Sequence, residues 1–217
     1  MARSTVNHPF KRSLAVAALA VAILSVAASA LLAGCASKEA MTTLYDFGPM
    51  QEAAVSTAGA AAPLPALVIA DTTGPSWLDS TRMYYRLLYA DAQQSRPYAF
   101  NHWNTTPLQL LSARLKSRIA QSGVKVLSAT DAATSAMLLR IEVDDFSHNF
   151  DSQTHSSGQI TLRASAFRGH RLLDQKTFTH NTPAGSADAL GGARALATSS
   201  DAIAADIINW LGALPAP

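Results

Sequence analysis

The sequence predicts an α/β fold: a mixed β-sheet carrying an antiparallel meander and flanked by two main helices. Three observations carry this expectation. Segments that alternate apolar and polar residues follow one another over short connections between Met137 and Thr179. Two stretches, one from Thr106 and one from Ser186, repeat apolar residues at helical spacing. Strand and helix patterns both alternate and cluster along the chain, as in sheets with helices packed over them.

The chain opens with a segment to be set aside before the fold is argued. Arg3, Lys11 and Arg12 make a basic end, residues 13–31 an Ala/Leu/Val core, and Leu32-Ala33-Gly34-Cys35 follows. This is the layout of a bacterial lipobox. The basic end stays cytoplasmic, the apolar core enters the membrane, and small side chains give a peptidase access to the backbone. Cys35 then carries a diacylglyceryl group and, after cleavage, an N-acyl chain as the first residue. An ordinary transmembrane helix of ~20 apolar residues and a secretory signal beside a chance cysteine are the competing readings. Leu-Ala-Gly-Cys at this distance from a basic start favours the lipobox. Each buried methylene contributes ~0.8 kcal/mol, so several acyl chains together anchor the protein to a membrane without spanning it.

Residues 1–34 are therefore expected to be a signal peptide, 35–66 a lipidated tether and flexible linker, and 67–217 one α/β domain. Removal of the signal takes three of the 17 basic residues and none of the 15 acidic ones, so the formal charge moves from +2 to −1. That balance gives no support for nucleic-acid binding. With one cysteine in the chain, no internal disulfide forms and packing alone must hold the domain.

The elements follow in order. Leu44 to Phe47 is a short apolar piece stopped by Gly48-Pro49, suited to an edge strand. Residues 53–66 are small and low in complexity, as linkers are. Leu67 to Ala70 suits a buried strand. Thr72 to Asp79, with Gly74-Pro75, reads as a loop. Arg82 to Tyr89 alternates, with Met83, Tyr85, Leu87 and Tyr89 on one face. Thr106-Pro107-Leu108-Gln109 joins an N-cap hydroxyl to a proline at the first helical position. Leu108, Leu111, Leu115 and Ile119 form the apolar stripe of that helix, with Arg114, Lys116 and Arg118 off it, and Ser122-Gly123 ends it. Val124 to Leu127 is a further strand. The meander comprises Met137 to Phe146, Gln159 to Phe167 and Leu172 to Thr179, with a polar loop from His148 to Gly158. Ser186 to Leu214 closes the chain as a helix with an alanine-rich stripe through Ala193, Leu196, Ser200, Ile203, Ile207 and Trp210.

Candidate chemistry is sparse. His148, Asp151 and His155 are the best metal candidates by residue type, but a solvated hairpin loop explains them better. Glu142 and Asp144 share a strand face with Asp145 opposite, which suits a charged solvent face. Gly-x-Ser-x-Gly and Walker motifs are missing, so no metal, cofactor or catalytic group is expected beyond the lipid on Cys35. Seven of the fifteen aromatic residues crowd between Trp77 and Trp103, interleaved with Arg82, Arg86 and Arg96. Aromatics dominate both cores and interfaces.

The lipobox, Leu44-Tyr45-Asp46-Phe47-Gly48, the strand ending at Ala70-Asp71, Tyr85-Arg86, Tyr98 to Trp103, and the Thr106-Pro107 helix with Leu110-Leu111 follow in that order. This order resembles the ABC-type transport auxiliary lipoproteins, the lipoprotein components of MCE-type intermembrane lipid transport systems. The resemblance implies a mixed sheet flanked by helices and a role without catalysis. It implies a periplasm-facing dock for an MCE-domain protein that carries phospholipid, with the ABC permease and ATPase on separate chains. It marks Cys35 as the lipidated residue and Tyr85, Arg86, Tyr98 and Trp103 as family positions open to partner or lipid contact. Ala36 after the cysteine favours the outer membrane. The alternative is a lipoprotein pilot or structural partner of a secretin or a cell-wall assembly. A homo-oligomer is compatible with either.

Overall fold

The structure, a computed structural model, describes residues 41–50, 64–127 and 136–215. Cys35, the lipobox, Ala36 and most of the predicted linker lie outside the described residues. Two units divide after Met41, and the fold described below belongs to the second, Thr42–Pro217.

Among the described residues the order is β1 (Thr43–Tyr45), β2 (Leu67–Ile69), β3 (Arg82–Leu87), β4 (Asp91–Trp103), α1 (Pro107–Gln121), β5 (Val126–Leu127), β6 (Met137–Phe150), β7 (Ser156–Arg168), β8 (Arg171–Pro183) and α2 (Ala189–Gly212). All eight strands join one mixed sheet, and both helices pack on it, as the α/β expectation requires. No helix among the described residues is long and apolar enough to cross a membrane.

Strand β6 organises the sheet. One of its edges pairs along its whole length with β7, and β7 pairs with β8, forming the antiparallel meander. Its other edge is shared. Residues 137–139 pair in parallel with β2, Glu142 bridges Thr73, and residues 148–150 pair in parallel with β3. The segment from β2 to β3 thus runs as one interrupted track beside β6. Within it, residues 76–79 form a 3-10 turn that buries Leu78, where the sequence predicts only a loop. From this track β5 extends the sheet at one end, and β4 and β1 extend it at the other.

Alternation along β6 buries Met137, Leu139, Ile141 and Val143. A bulge between Val143 and Asp145 then shifts the phase. From there Phe146, His148 and Phe150 take the buried positions on the helix side. This corrects two expectations. Strand β6 runs four residues past Phe146, so His148 is part of the sheet and not of a loop. Asp145 also joins the solvent-facing side, where it accepts hydrogen bonds from Ser147 and Gln159. Glu142 and Asp144 pair there with Arg163, as a charged outer face does. The connecting loop shrinks to residues 151–155. At the far end of β7, Gly169 takes a left-handed backbone, φ 57°, in the tight turn before β8.

Helix α1 starts where Thr106 Oγ1 accepts from the Gln109 amide and Pro107 supplies a preset φ. Leu111, Leu115 and Ile119 are fully buried, each burial stabilising by about 1.5–3 kcal/mol. Helix α2 starts where Asp188 accepts from the Gly191 amide. All six positions of its predicted stripe are buried, from Ala193 to Trp210. The helix lies close on the sheet because Gly158 of β7 has no side chain; a Cβ there would stand 2.6 Å from the Leu196 nitrogen. Gly192 likewise lets the helix backbone rest on the His148 ring. The Trp210 indole donates to Asp174 and packs edge-on against Phe178.

An ion cluster joins the two helices. Arg114 and Arg118 of α1 each present Nε and an Nη to the Asp201 carboxylate of α2, at 2.5–2.8 Å. Arg114 is expected on the outer face of α1 but is buried, its side chain 8% exposed. Its length lets it lie along the helix interface while its head reaches Asp201.

Candidate functional site

The chemically distinctive region is the β3–β4 hairpin and the part of β6 beneath it. Strand β4 spans thirteen residues and is missing from the sequence expectations. Its first half, Asp91-Ala92-Gln93-Gln94-Ser95, is exposed and polar, so no inward-outward alternation marks it. Tyr89, expected on the strand, instead occupies the turn.

Three of the four singled-out aromatic and basic positions gather here. Tyr85 packs on Tyr98 at 4.6 Å between ring centres and meets Phe150 edge-on at 5.7 Å. The Tyr98 hydroxyl shares a 2.9 Å hydrogen bond with His148 Nδ1. Arg86 lies on the neighbouring hairpin surface and donates to the Ala92 carbonyl. Trp103 lies apart, 3% exposed, in a core cluster with Phe47 and Phe146.

His148 is fully buried and its Nε2 has no hydrogen-bond partner among the described residues. Burial pulls its pKa down to about 4, against the opposing pull of the Asp188 carboxylate. The imidazole is therefore neutral at physiological pH. Burial first, and then the neighbouring Tyr85, raises the Tyr98 hydroxyl above the ordinary tyrosine range. These are the properties of a packed polar pair. The void beside His148 measures about 10 Å³, room for at most one water and no substrate.

The metal candidates do not converge. His148 is in the sheet interior, while His155 stands in the exposed β6–β7 turn with Ser152 and Thr154 hydroxyls on its Nδ1. Among the described residues no group of three or more His, Cys, Asp or Glu side chains is placed to hold a metal ion. The Ser152–His155 contact lies within four residues of one turn, and no carboxylate orients the ring among the described residues.

What the hairpin offers is surface. Leu88, Tyr89 and Phe100 are exposed beside Arg86 and Arg96. Strand β1 covers only Asn101–Trp103 of the outer edge of β4. From Asp91 to Phe100 that edge has no partner strand among the described residues. Unpaired edge amides and carbonyls template the addition of another strand. The aromatic crowding was legible in sequence, but the open edge depends on which strands flank β4.

Comparison with known proteins agrees with this architecture. The family model described as "ABC-type transport auxiliary lipoprotein component" matches residues 45–208. No curated protein sequence matches the chain. A solved protein of Xanthomonas campestris, assigned to DUF330, is 22% identical with a TM-score of 0.58, covering 68% of this chain and 86% of its own. An uncharacterised protein is 13% identical with a TM-score of 0.62, covering 79% of this chain and 99% of its own. At these identities the likeness concerns the fold.

Proposed function

The chain belongs to the ABC-type transport auxiliary lipoprotein family, and we propose that it is the docking lipoprotein of an MCE-type intermembrane phospholipid transport system. In this reading Cys35 carries the diacylglyceryl and N-acyl anchor, and the domain faces the periplasm from the outer membrane. It acts by binding, while the ABC permease and ATPase act on separate chains.

The observation that carries the reading is the β3–β4 hairpin. It presents exposed apolar side chains, arginines and an open strand edge on one element. Arginine and aromatic side chains supply much of the binding energy of interfaces, and an edge adds backbone hydrogen bonds. An MCE-domain protein contributing an extended segment fits that surface. Tyr85 and Tyr98 shape the hairpin from within, Trp103 holds its base in the core, and Arg86 is the family position left at the surface.

The test is affinity purification of the full-length lipidated protein from gently cross-linked native membranes, with partners identified by mass spectrometry. We expect an MCE-domain protein with its permease and ATPase, depleted when Cys35→Ala removes the anchor. Tyr89→Ala, in an exposed turn, should lower recovery without altering the fold. Recovery of a secretin or a cell-wall assembly with no MCE-domain protein refutes the reading.

A further inference from the structure

The β3–β4 turn differs in composition from the other hairpin turns of the sheet. Residues 151–155 between β6 and β7 are polar, and β7 passes to β8 through Gly169-His170. Polar residues and glycine are what tight turns favour. Between β3 and β4 stand Leu88, Tyr89 and Ala90, all three exposed. The turn is nonetheless fixed in place. The Leu88 amide donates to the Phe150 carbonyl at 2.9 Å, and the Ala90 amide to the Leu87 carbonyl at 3.0 Å. An ordered backbone thus presents apolar side chains to the outside.

Strand direction and chain length say what lies beyond this turn. Strand β1 pairs in parallel with β4, Thr43 beside Asn101 and Tyr45 beside Trp103. The chain therefore enters β1 from the side on which β4 begins, the side of the Leu88–Ala90 turn. Cys35 precedes Thr43 by eight residues, a contour of at most about 29 Å. From Asn101 back to Asp91, β4 measures about 33 Å at the ordinary rise of a strand. The two lengths match, so a bilayer that holds acyl chains on Cys35 is within reach of the turn. Leu190, exposed in the first turn of α2, belongs to the same end of the sheet. Gly192 rests on the His148 ring, and residues 148–150 pair with residues 85–87.

We propose that this end of the sheet rests on the membrane, with the Leu88-Tyr89-Ala90 turn inserted at the lipid interface. Tyrosine suits that depth, because its ring is apolar and its hydroxyl stays with the headgroups. Leu88 buries apolar area in the acyl boundary. Residues 151–155, which follow Phe150 beside the turn, are polar and match the hydrated headgroup layer. So few side chains hold a surface weakly on their own. The acyl anchor makes their contact intramolecular, at an effective concentration on the order of millimolar. The contact then sets orientation, while the lipid supplies attachment. It points the opposite end of the sheet into the periplasm and leaves the β4 edge from Gln93 to Phe100 open at the side for a partner strand. The inference rests on the Cys35 anchor of the docking reading and not on which protein docks.

The test uses the full-length lipidated protein in vesicles of phosphatidylethanolamine and phosphatidylglycerol that hold no other protein. Cys35 is the only cysteine of the chain and is blocked by its lipid, so an introduced cysteine takes a thiol-reactive NBD dye at one site. Ala90→Cys puts the dye on the turn, and His170→Cys puts it on the exposed turn at the opposite end of β7. The dye at position 90 should emit to the blue of the dye at position 170, and lipids with doxyl-labelled chains should quench the first and spare the second. Leu88→Ser combined with Tyr89→Ser should abolish that quenching while the protein still floats with the vesicles. Both side chains are exposed, so thermal unfolding should change little. No quenching at position 90, equal quenching at both sites, or quenching that survives the double substitution overturns the proposal. A blue shift at position 90 without lipid quenching also overturns it and assigns the turn to contact between copies. A chain that does not float with the vesicles refutes the Cys35 anchor and the orientation with it. A domain that is oriented in this way yet recovers no MCE-domain protein from native membranes refutes the docking reading alone.

Discussion

The buried His148 predicts a specific acid sensitivity. In the unfolded chain the imidazole has the ordinary pKa of 6.5, and in the fold burial lowers it to about 4. Below pH 6.5 the unfolded state binds a proton that the folded state refuses, so stability falls with pH. The loss begins near pH 6.5, has a limiting slope of about 1.4 kcal/mol per pH unit, and levels off below pH 4. Between pH 8 and pH 5 it amounts to about 2 kcal/mol, and in full to about 3 kcal/mol. The groups facing the ring do not titrate in that window. Tyr98 is shifted upward, and Asp188 is held low, first by the Gly191 amide and then by Ser186. Those carboxylates whose pKa is lowered withdraw their stabilisation only at still lower pH. The assay is urea unfolding at pH 8 and pH 5 for the parent and for His148→Leu. The variant strands the Tyr98 hydroxyl, which costs about 1–3 kcal/mol at both pH values. That offset shifts the whole profile and leaves its slope untouched. The parent should lose about 2 kcal/mol more than the variant between the two pH values. Equal losses would show that the histidine is not held neutral by burial.

Two further outcomes follow from the packing. Gly158→Ala drives a methyl group into the backbone of α2 at Leu196, so the helix must lift; overpacking of this kind costs about 1–3 kcal/mol, read as a lowered urea midpoint. Asp201→Asn leaves Arg114 and Arg118 facing each other without their shared anion. Breaking a buried pair costs about 3–5 kcal/mol, and with Asp201 a quarter exposed we expect about 2–3 kcal/mol. A loss below about 0.5 kcal/mol would place the cluster among ordinary surface pairs.

Most of the secondary structure was legible because it is set by local periodicity. The Thr106 cap, the stripe from Leu108 to Ile119, the meander and the closing helix all repeat a pattern within one element. Strand β4 escaped because its first half is solvated, and a strand wet on both faces has no alternation to display. His148 was misplaced because the bulge after Val143 shifts the phase, and a bulge is invisible to a period-two pattern that simply stops. Arg114 was placed outside because its residue type is polar, although α2 brings it an anion. As to the site, the sequence marked the aromatic and basic crowding of the hairpin; its open edge was not legible.

The division has a physical basis. Propensity, capping and hydrophobic period act over a few residues, so the chain by itself determined most of its elements and its family resemblance. Strand order, the close approach of α2 at Gly158 and Gly192, and the meeting of Arg114 and Arg118 with Asp201 join residues far apart in the chain. They depend on how faces pack and where charges lose water, and only the tertiary structure decides that.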